Sequence, residues 1–158
     1  MPATPKTPMT WIILQGLGSP LMAHVGLKLI ESGARAIRVN FSGGDWAFQG
    51  GGEHIHYRGK TEDLYGFYAD LCKRTQAKGF LLFGDLRAVH VPAFDYAIKA
   101  GLDVWVLEEG YLRPSWITLE HMGTNARSPL PRDSAGISAL AATIGSTPSA
   151  APKDAPSF

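Results

Sequence analysis

Residues 104–110, with the sequence VWVLEEG, decide the class of fold that this chain adopts. Four consecutive apolar residues predict a buried strand. Two carboxylates, Glu108 and Glu109, follow at the point where the strand gives way to a loop. In open α/β sheets, ligands bind in the crevice beyond the carboxyl ends of the strands. The segment therefore predicts a strand that brings two acidic side chains to a binding edge.

Three further apolar segments, at residues 11–15, 36–41 and 80–83, alternate with helical patterns that begin near residues 20, 61 and 91. Strands that are apolar on both faces and alternate with helices are typical of a parallel sheet covered on both sides. Right-handed crossovers make such a unit Rossmann-like. We predict an α/β fold, namely a Rossmann-like half with a four-stranded, mostly parallel sheet covered by helices, with residues 55–58 as a candidate short edge strand. Thr61 is a candidate N-cap, and Gly33 and Gly101 are candidate helix ends.

The chain of 158 residues has the size of one domain, and its ends differ in composition from its middle. Residues 1–9 are rich in proline and predict a flexible arm. Residues 10–133 form the predicted Rossmann-like domain. Residues 134–158 are rich in Ala, Ser, Thr, Gly and Pro and predict a low-complexity, mostly disordered tail. Within it, Ile137, Leu140 and Ile144 support one short helix.

Charge and hydropathy exclude several classes of protein. The net charge is +1, so no bulk field favours nucleic acid as a partner. No apolar run approaches the roughly 20 residues that span a bilayer, and residues 1–10 do not resemble a secretion signal. We therefore expect a cytoplasmic protein. The single cysteine, Cys72, cannot form an internal disulfide and lies in a helical pattern, which favours a small buried hydrophobe.

The loop after the first strand begins with Gln15 and contains two glycines, which let a ligand approach the backbone. Its spacing departs from the dinucleotide pattern G-x-G-x-x-G, because Leu21 stands at the third glycine position. A ligand-binding loop and a plain tight turn both remain open for this segment.

The loop after the second strand contains Asn40, Gly43, Gly44, Asp45 and Trp46. Asn40 and Asp45 suit sugar hydroxyls, and the indole of Trp46 suits the face of a sugar ring. The alternative is a glycine turn in which Asp45 caps the backbone.

The loop after the third strand carries Asp85 and Arg87, with His90 shortly beyond. Asp85 is either a helix cap or a site carboxylate. Because the carboxyl ends of parallel strands share one edge, we expect all four loops to meet in one pocket. Whether Glu108 or Glu109 faces that pocket depends on the register of the strand.

The residue types indicate a reaction class. The chain has neither a serine nucleophile elbow nor a P-loop. His54 and His56 share a face of a possible strand but have no third ligand at a recognisable spacing, so we predict no metal site. Carboxylates that act as nucleophile or acid/base, together with arginine for an anionic group, suit glycosyl chemistry.

An ordered set of short motifs extends from residue 11 to residue 133. The motifs are LQG at 14–16, RVNFSGGD at 38–45, YRG at 57–59, FGDLR at 83–87, EEGYLRP at 108–114, WITLE at 116–120, Asn125, and LPRD at 130–133. Together they resemble the N-terminal portion of the bacterial capsule polysaccharide biosynthesis/export proteins of the KpsS/LipB type.

That resemblance implies a β-Kdo transferase, which uses CMP-Kdo to build a Kdo linker on a lysophosphatidylglycerol acceptor at the inner face of the inner membrane. It implies a nucleotide sugar and a lipid-linked glycan acceptor as partners, with capsule-assembly proteins nearby and no cofactor beyond the donor substrate. Carried over by position, it points to residues 40–45, Asp85, Glu108, Glu109, Arg113, Glu120 and Asn125 as site candidates. We predict that one of Asp85, Glu108 and Glu109 acts as nucleophile or base. We predict that substrate binding involves the following residues: Gln15, Asn40, Gly43, Gly44, Asp45, Arg87, His90, Arg113, Glu120 and Asn125.

Full-length members of that family are longer, and such transferases bind the nucleotide between two Rossmann-like halves. Three hypotheses follow for this chain. It is the transferase half of a capsule enzyme, a non-catalytic module that binds a glycan or a partner, or an inactive remnant. Turnover, binding without turnover, and failure to fold cooperatively distinguish them.

Overall fold

The computed structural model describes residues 8–110 and 116–143, which form a mixed α/β fold around a six-stranded sheet. The strands are β1 (Thr10–Ile13), β2 (Arg35–Asn40), β3 (Glu53–His56), β4 (Ala77–Phe83), β5 (Asp103–Glu109) and β6 (Ile117–His121). The helices are α1 (Leu21–Glu31), α2 (Gly43–Ala47), α3 (Leu64–Thr75), α4 (Val91–Ala100) and α5 (Ser134–Thr143). Single 3-10 turns lie at Thr61–Asp63 and Asn125–Arg127.

The strands lie in the order β3-β2-β1-β4-β5-β6, and all neighbours are parallel except β5 and β6. From β1 the chain moves outward to β2 and β3, then returns across the sheet to β4 and moves outward to β5. The direction of winding therefore reverses between β1 and β4. In sheets of this kind the reversal opens a crevice at the carboxyl edge, because the flanking loops depart to opposite sides.

Apolar side chains on both faces of the central strands explain why helices cover both sides. On one face Ile12, Phe80 and Val104 pack with α3 and α4, and they are completely buried. On the other face Ile13 and Leu81 pack against Met22 of α1. Successive residues of a strand point to opposite faces, so uninterrupted apolar runs require two covered faces. The predicted α/β class and the mostly parallel sheet are confirmed.

The predicted sheet of four strands is too small by two. The candidate edge strand is real, but it covers Glu53–His56 rather than residues 55–58 and pairs in parallel with β2. The sixth strand, Ile117–His121, runs antiparallel to β5 at the other edge, with residues that alternate between exposed and half-buried. Only one face of this edge strand packs against the protein, so the strand contains several polar residues. Its composition therefore resembles that of a loop.

Most predicted helix ends are confirmed, and one is wrong. Gly33 and Gly101 follow α1 and α4 with positive φ of 87° and 66°, a conformation that glycine adopts without a Cβ penalty. Thr61 does not cap α3. It begins the 3-10 turn before that helix, whose N-cap position is held by Asp63 without a side-chain hydrogen bond.

Two smaller predictions also have an outcome. Cys72 is 5% exposed within the core, and burial raises the pKa of its thiol to about 12, which matches a packing role. The predicted short helix in the C-terminal segment is α5, which has no buried residue. Residues 1–7 of the predicted arm and residues 144–158 of the predicted tail lie outside the described residues.

Candidate active site

A cleft of about 390 Å³ lies at the carboxyl edge of the sheet, beside the reversal between β1 and β4. Its walls come from the loops that follow β1 and β4, from the end of β5 and from the turn after β6. The residues that line it are Leu17, Phe83, Gly84, Asp85, Leu86, Arg87, Glu108, Glu109 and Asn125. Five of the residues that the sequence assigns to the site, Asp85, Arg87, Glu108, Glu109 and Asn125, are therefore brought together here.

Glu108 and Glu109 both line this cleft, so the register of β5 does not choose between them. Glu108 lies opposite Thr118 and Glu109 opposite Ile117 on the antiparallel partner β6. Glu108 is half-buried, and its Oε1 accepts a hydrogen bond of 3.3 Å from the backbone N–H of Glu109. Glu109 is exposed at the end of the strand. The two carboxylates are thus held by one rigid strand at different depths.

Asp85 fastens the turn after β6 to the cleft. It is 3% exposed, and its Oδ2 accepts a hydrogen bond of 3.2 Å from the backbone N–H of Thr124. Its carbonyl oxygen lies 3.5 Å from Nη1 of Arg127, whose guanidinium also stacks on the ring of Phe94 at 4.8 Å. These contacts keep Asn125, the next residue of the turn, at the cleft wall. One oxygen of Asp85 is accordingly occupied in holding this wall.

Arg87 connects the cleft to the loop after β1. Its Nη1 donates to the carbonyl oxygen of Gly16 at 3.1 Å and lies 3.4 Å from Oε1 of Gln15. The amide nitrogen of Gln15 in turn donates to Oδ2 of Asp45 at 3.0 Å. The Gln15 side chain therefore lies between Arg87 and Asp45. The Arg87 guanidinium is oriented at the cleft by neutral oxygen acceptors.

Asp45 is used by the protein itself. Besides Gln15, its Oδ2 accepts from the backbone N–H groups of Phe41 and Ser42 and from the hydroxyl of Ser42, at distances between 2.9 and 3.1 Å. The Ser42 hydroxyl accepts from the Asp45 N–H in return, which completes a capping box at the start of α2. The capping alternative for Asp45 thus accounts for its contacts, and no sugar contact is needed to explain them.

His90 lies behind the cleft wall and is completely buried. Its Nδ1 is 2.6 Å from the carbonyl oxygen of Gly84, so a proton on Nδ1 is donated there, and Nε2 has no hydrogen-bond partner among the described residues. Burial lowers the pKa of His90 to about 4, against the attraction of the Gly84 carbonyl. A neutral imidazole therefore supports the positive-φ turn at Gly84.

The low pKa of His90 predicts acid sensitivity. The unfolded chain takes up a proton near pH 6.5, the ordinary value, whereas the folded protein resists it until about pH 4. The free energy of unfolding should therefore fall as the pH drops from 6.5 towards 4, by roughly 2–3 kcal/mol from this group at pH 4.5. Urea unfolding at pH 7 and pH 4.5 measures this change. Between these pH values, the free energy of unfolding should fall less for His90→Asn than for the unmodified protein. His24→Asn, at an exposed position, is the control. Equal losses for both variants would refute the assignment.

A second, smaller cavity of about 200 Å³ lies at the same edge, beyond β2 and β3. It is lined by Asn40, Phe41, Ser42, Gly43, Trp46, His56, Tyr57 and Arg58. The expectation that all four loops at the carboxyl ends of the strands meet in one pocket is therefore too simple. The loops form two cavities, and the hydrogen bonds from Arg87 through Gln15 to Asp45 join the segments between them.

The remaining site candidates are distributed as follows. Gly44 lies in α2 beside the smaller cavity without lining it. Glu120 lies on β6, where it pairs with Val106 of β5, and its Oε2 accepts from the Ser128 hydroxyl. It therefore belongs to the hairpin rather than to the cleft wall. Arg113 lies outside the described residues.

Within 8–110 and 116–143, no group of three potential metal ligands occurs. In the same residues, no helix is long and apolar enough to cross a membrane.

Comparison with known proteins gives this geometry a context. Residues 78–155 match the family model described as capsule polysaccharide biosynthesis protein. Over 123 residues the chain is 36% identical to the capsule polysaccharide export protein KpsS of Escherichia coli, a match that covers 78% of this chain and 32% of that protein. The chain belongs to the capsule polysaccharide biosynthesis family. A second relative is the capsule polysaccharide modification protein LipB of Neisseria meningitidis serogroup A, with 31% identity over 123 residues.

The match to these capsule proteins is partial. It covers 77% of this chain but 29% of LipB, so the chain spans about a third of the length of the curated relatives it matches. The family model of the capsule proteins begins at residue 78, one residue into β4. The cleft residues from Phe83 to Asn125 fall within its range, whereas the smaller cavity precedes it.

Three lining residues of the smaller cavity in this capsule-family chain, His56, Tyr57 and Arg58, are absent from the sequence-based site candidates. His56 ends β3, and Tyr57 and Arg58 follow it. The sequence marks this strand only weakly because it is short and at an edge. The alternation of His54 and His56 is the available signal, since it places one polar face of β3 beside Arg38 and Asn40 of β2.

Proposed function

We propose that this chain carries the carboxylate-bearing half of a glycosyl-transfer site in capsule assembly, of the β-Kdo transferase type. The donor would be CMP-Kdo and the acceptor the glycerol headgroup of lysophosphatidylglycerol at the inner face of the inner membrane. The observation that supports this function is the cleft in which Glu108, Glu109 and Arg87 line one space at the reversal of the sheet. Membership of the capsule family supports the class of product.

Glu109 is proposed as the group that reacts, as nucleophile or as general base. It is the exposed member of the pair, and a carboxylate in either role must come within hydrogen-bond reach of the reacting atoms. Glu108 is proposed as a positioning residue, because its Oε1 accepts from the N–H of Glu109. In the overall reaction, an acceptor oxygen loses its proton and bonds to the anomeric carbon of Kdo. The bond from that carbon to the CMP phosphate oxygen breaks, and CMP leaves.

Arg87 is proposed to hold an anionic group of a substrate. Its Nη1 is engaged by Gly16, which orients the guanidinium. A guanidinium fixed in this way can pair with a phosphate through its other N–H donors. Asp85 is proposed to act through the turn that it holds, since its Oδ2 accepts from Thr124. Arg113 remains a proposed partner for a carboxylate or phosphate.

Titration of the isotope-labelled chain with glycerophosphoglycerol, the acceptor headgroup without its acyl chain, tests this proposal. We expect the amide signals of Gly84, Glu109 and Asn125 to shift in a saturable manner, because these residues line or border the cleft. In Arg87→Gln the affinity should fall at least five-fold, since a phosphate loses its cationic partner. Arg74→Gln, on the exposed face of α3, is the matched control. Shifts confined to residues far from the cleft, or equal affinity in both variants, would overturn the proposed site.

A further inference from the structure

The smaller cavity at the carboxyl ends of β2 and β3 differs in chemistry from the cleft. None of its lining residues is acidic, whereas the cleft is lined by three carboxylates. The cavity instead combines three aromatic side chains, Phe41, Trp46 and Tyr57, with one arginine, Arg58. A cavity without a carboxylate lacks the acidic side chain to which the proposed transfer reaction is assigned. It is therefore suited to hold a ligand rather than to react with it.

Trp46 presents an accessible aromatic surface in this cavity. Its side chain is 58% exposed although it belongs to a folded helix. The imidazole of His56 meets it edge-on at a centroid distance of 5.4 Å, which fixes the position of the indole from one side. A tryptophan that is held by a neighbour but open to solvent offers a flat apolar surface to a ligand.

Asn40 supplies an independent indication of a missing partner. It is 2% exposed and lines the cavity. Its Nδ2 donates to Oε1 of Gln49 at 3.0 Å and lies 3.4 Å from Nδ1 of His56, so both amide hydrogens have acceptors within reach. Its Oδ1 is buried and has no hydrogen-bond partner among the described residues. Buried amide oxygens are rarely left unpaired, and an unpaired acceptor on a residue that lines the cavity points to a hydroxyl donor from a ligand.

The size of the cavity limits the ligand. At about 200 Å³ it is smaller than the roughly 300–1,000 Å³ of sites for drug-sized molecules, among which a nucleotide sugar belongs. One pyranose ring is the natural occupant of such a space. An aromatic platform, an amide and a guanidinium together favour a sugar that carries a negative charge. A neutral sugar would leave Arg58 unused.

We infer that this cavity is a separate binding site for one acidic monosaccharide unit, in which Trp46 stacks on the ring, Asn40 receives a hydroxyl group and Arg58 pairs with the carboxylate. This site does not depend on the proposed transfer reaction, because its residues are distinct from those of the cleft. It would let the protein hold an acidic glycan chain beside the cleft.

The indole N–H signals of the four tryptophans make the site directly testable, because each tryptophan gives one signal. The probes are methyl β-D-glucuronide as the acidic sugar, methyl β-D-glucoside as the neutral sugar, and CMP. We expect the glucuronide to shift the Trp46 indole and the Asn40 side-chain amide, and to bind at least five-fold more tightly than the glucoside. The indole of Trp116, the residue directly before β6, should not move.

Variants separate the contributions. Arg58→Gln should reduce the affinity for the glucuronide to that for the glucoside, whereas Arg74→Gln should leave both unchanged. Trp46→Ala should abolish binding of both sugars while the indole signals of Trp11 and Trp105 keep their positions, which shows that the fold is intact. The inference is overturned if neither sugar moves the Trp46 signal, if the two sugars bind equally, or if CMP moves that signal more strongly than the glucuronide.

Discussion

Replacing Glu109 by glutamine should lower the rate of Kdo transfer at least 100-fold without unfolding the protein. A positioned general base contributes typically 10²- to 10⁴-fold to a rate, and a carboxylate nucleophile cannot be replaced by an amide. Glutamine keeps the size and the hydrogen-bonding oxygen of glutamate, so the position of the side chain at the end of β5 is preserved. The loss should therefore appear in the rate of transfer and leave substrate binding within a few-fold.

The measurement uses an exchange protein, in which the matched 123-residue segment of the Escherichia coli relative is replaced by the corresponding segment of this chain. Kdo transfer from CMP-Kdo to lysophosphatidylglycerol is followed with and without the substitution. Glu31→Gln is the matched control, because Glu31 is exposed on α1, where it pairs with Lys28. A Glu109→Gln rate within three-fold of the unsubstituted exchange protein would remove Glu109 from the reaction.

Replacing Gly79 by alanine should destabilise the fold by about 3 kcal/mol or more, or prevent folding. Gly79 lies within β4, between Trp11 of β1 and Asp103 of β5. A Cβ at this position would lie 2.0 Å from the carbonyl oxygen of Asp103 and 3.0 Å from the Trp11 ring. Because the oxygen belongs to the backbone of a paired strand, the contact can be relieved only if β4 and β5 separate.

Gly66→Ala provides the control for this substitution. Gly66 is an exposed position of α3 where an added Cβ would meet no atom within 4 Å. Alanine is favoured over glycine in a helix by about 0.8–1 kcal/mol, so this variant should be slightly more stable than the unmodified protein. Urea unfolding of both variants checks the pair. A Gly79→Ala protein with normal stability would mean that the close approach of β4 and β5 is wrong.

The main architecture and the cleft follow from local patterns in the sequence. The run of apolar residues before Glu108 predicts a strand buried on both faces, and the same pattern recurs for the other central strands. Once those strands are parallel, topology alone places the loops after β4 and β5 at one edge. Asp85, Arg87, Glu108 and Glu109 are therefore predictable as neighbours, and the cleft unites them.

The division into two cavities could not be predicted, because it depends on contacts between distant segments. Asp45 is the type of residue that binds sugar hydroxyls. Its Oδ2, however, already accepts hydrogen bonds from the N–H groups of its own loop and from the Gln15 amide. A sequence does not reveal which donors will surround a carboxylate after folding. The carboxylate thus closes the space between β1 and β2, and the loop after β2 forms its own cavity with residues after β3.

The sixth strand shows a different limit. The residues of β6 alternate in exposure as an edge strand does, but Thr118, Glu120 and His121 resemble a loop in composition. Pairing with β5 through backbone hydrogen bonds decides the matter, and such pairing leaves little trace in the side chains. Glu120 is consequently a hairpin residue, although the family resemblance assigns it to the substrate.

The transfer activity of the exchange protein itself tests the central claim most directly, namely that this chain supplies the reacting carboxylates of a capsule glycosyltransferase. We predict a rate of Kdo transfer within ten-fold of that of the unmodified Escherichia coli relative when the two proteins are assayed under the same conditions. A folded exchange protein that transfers no Kdo, beside a relative that does, would contradict the claim.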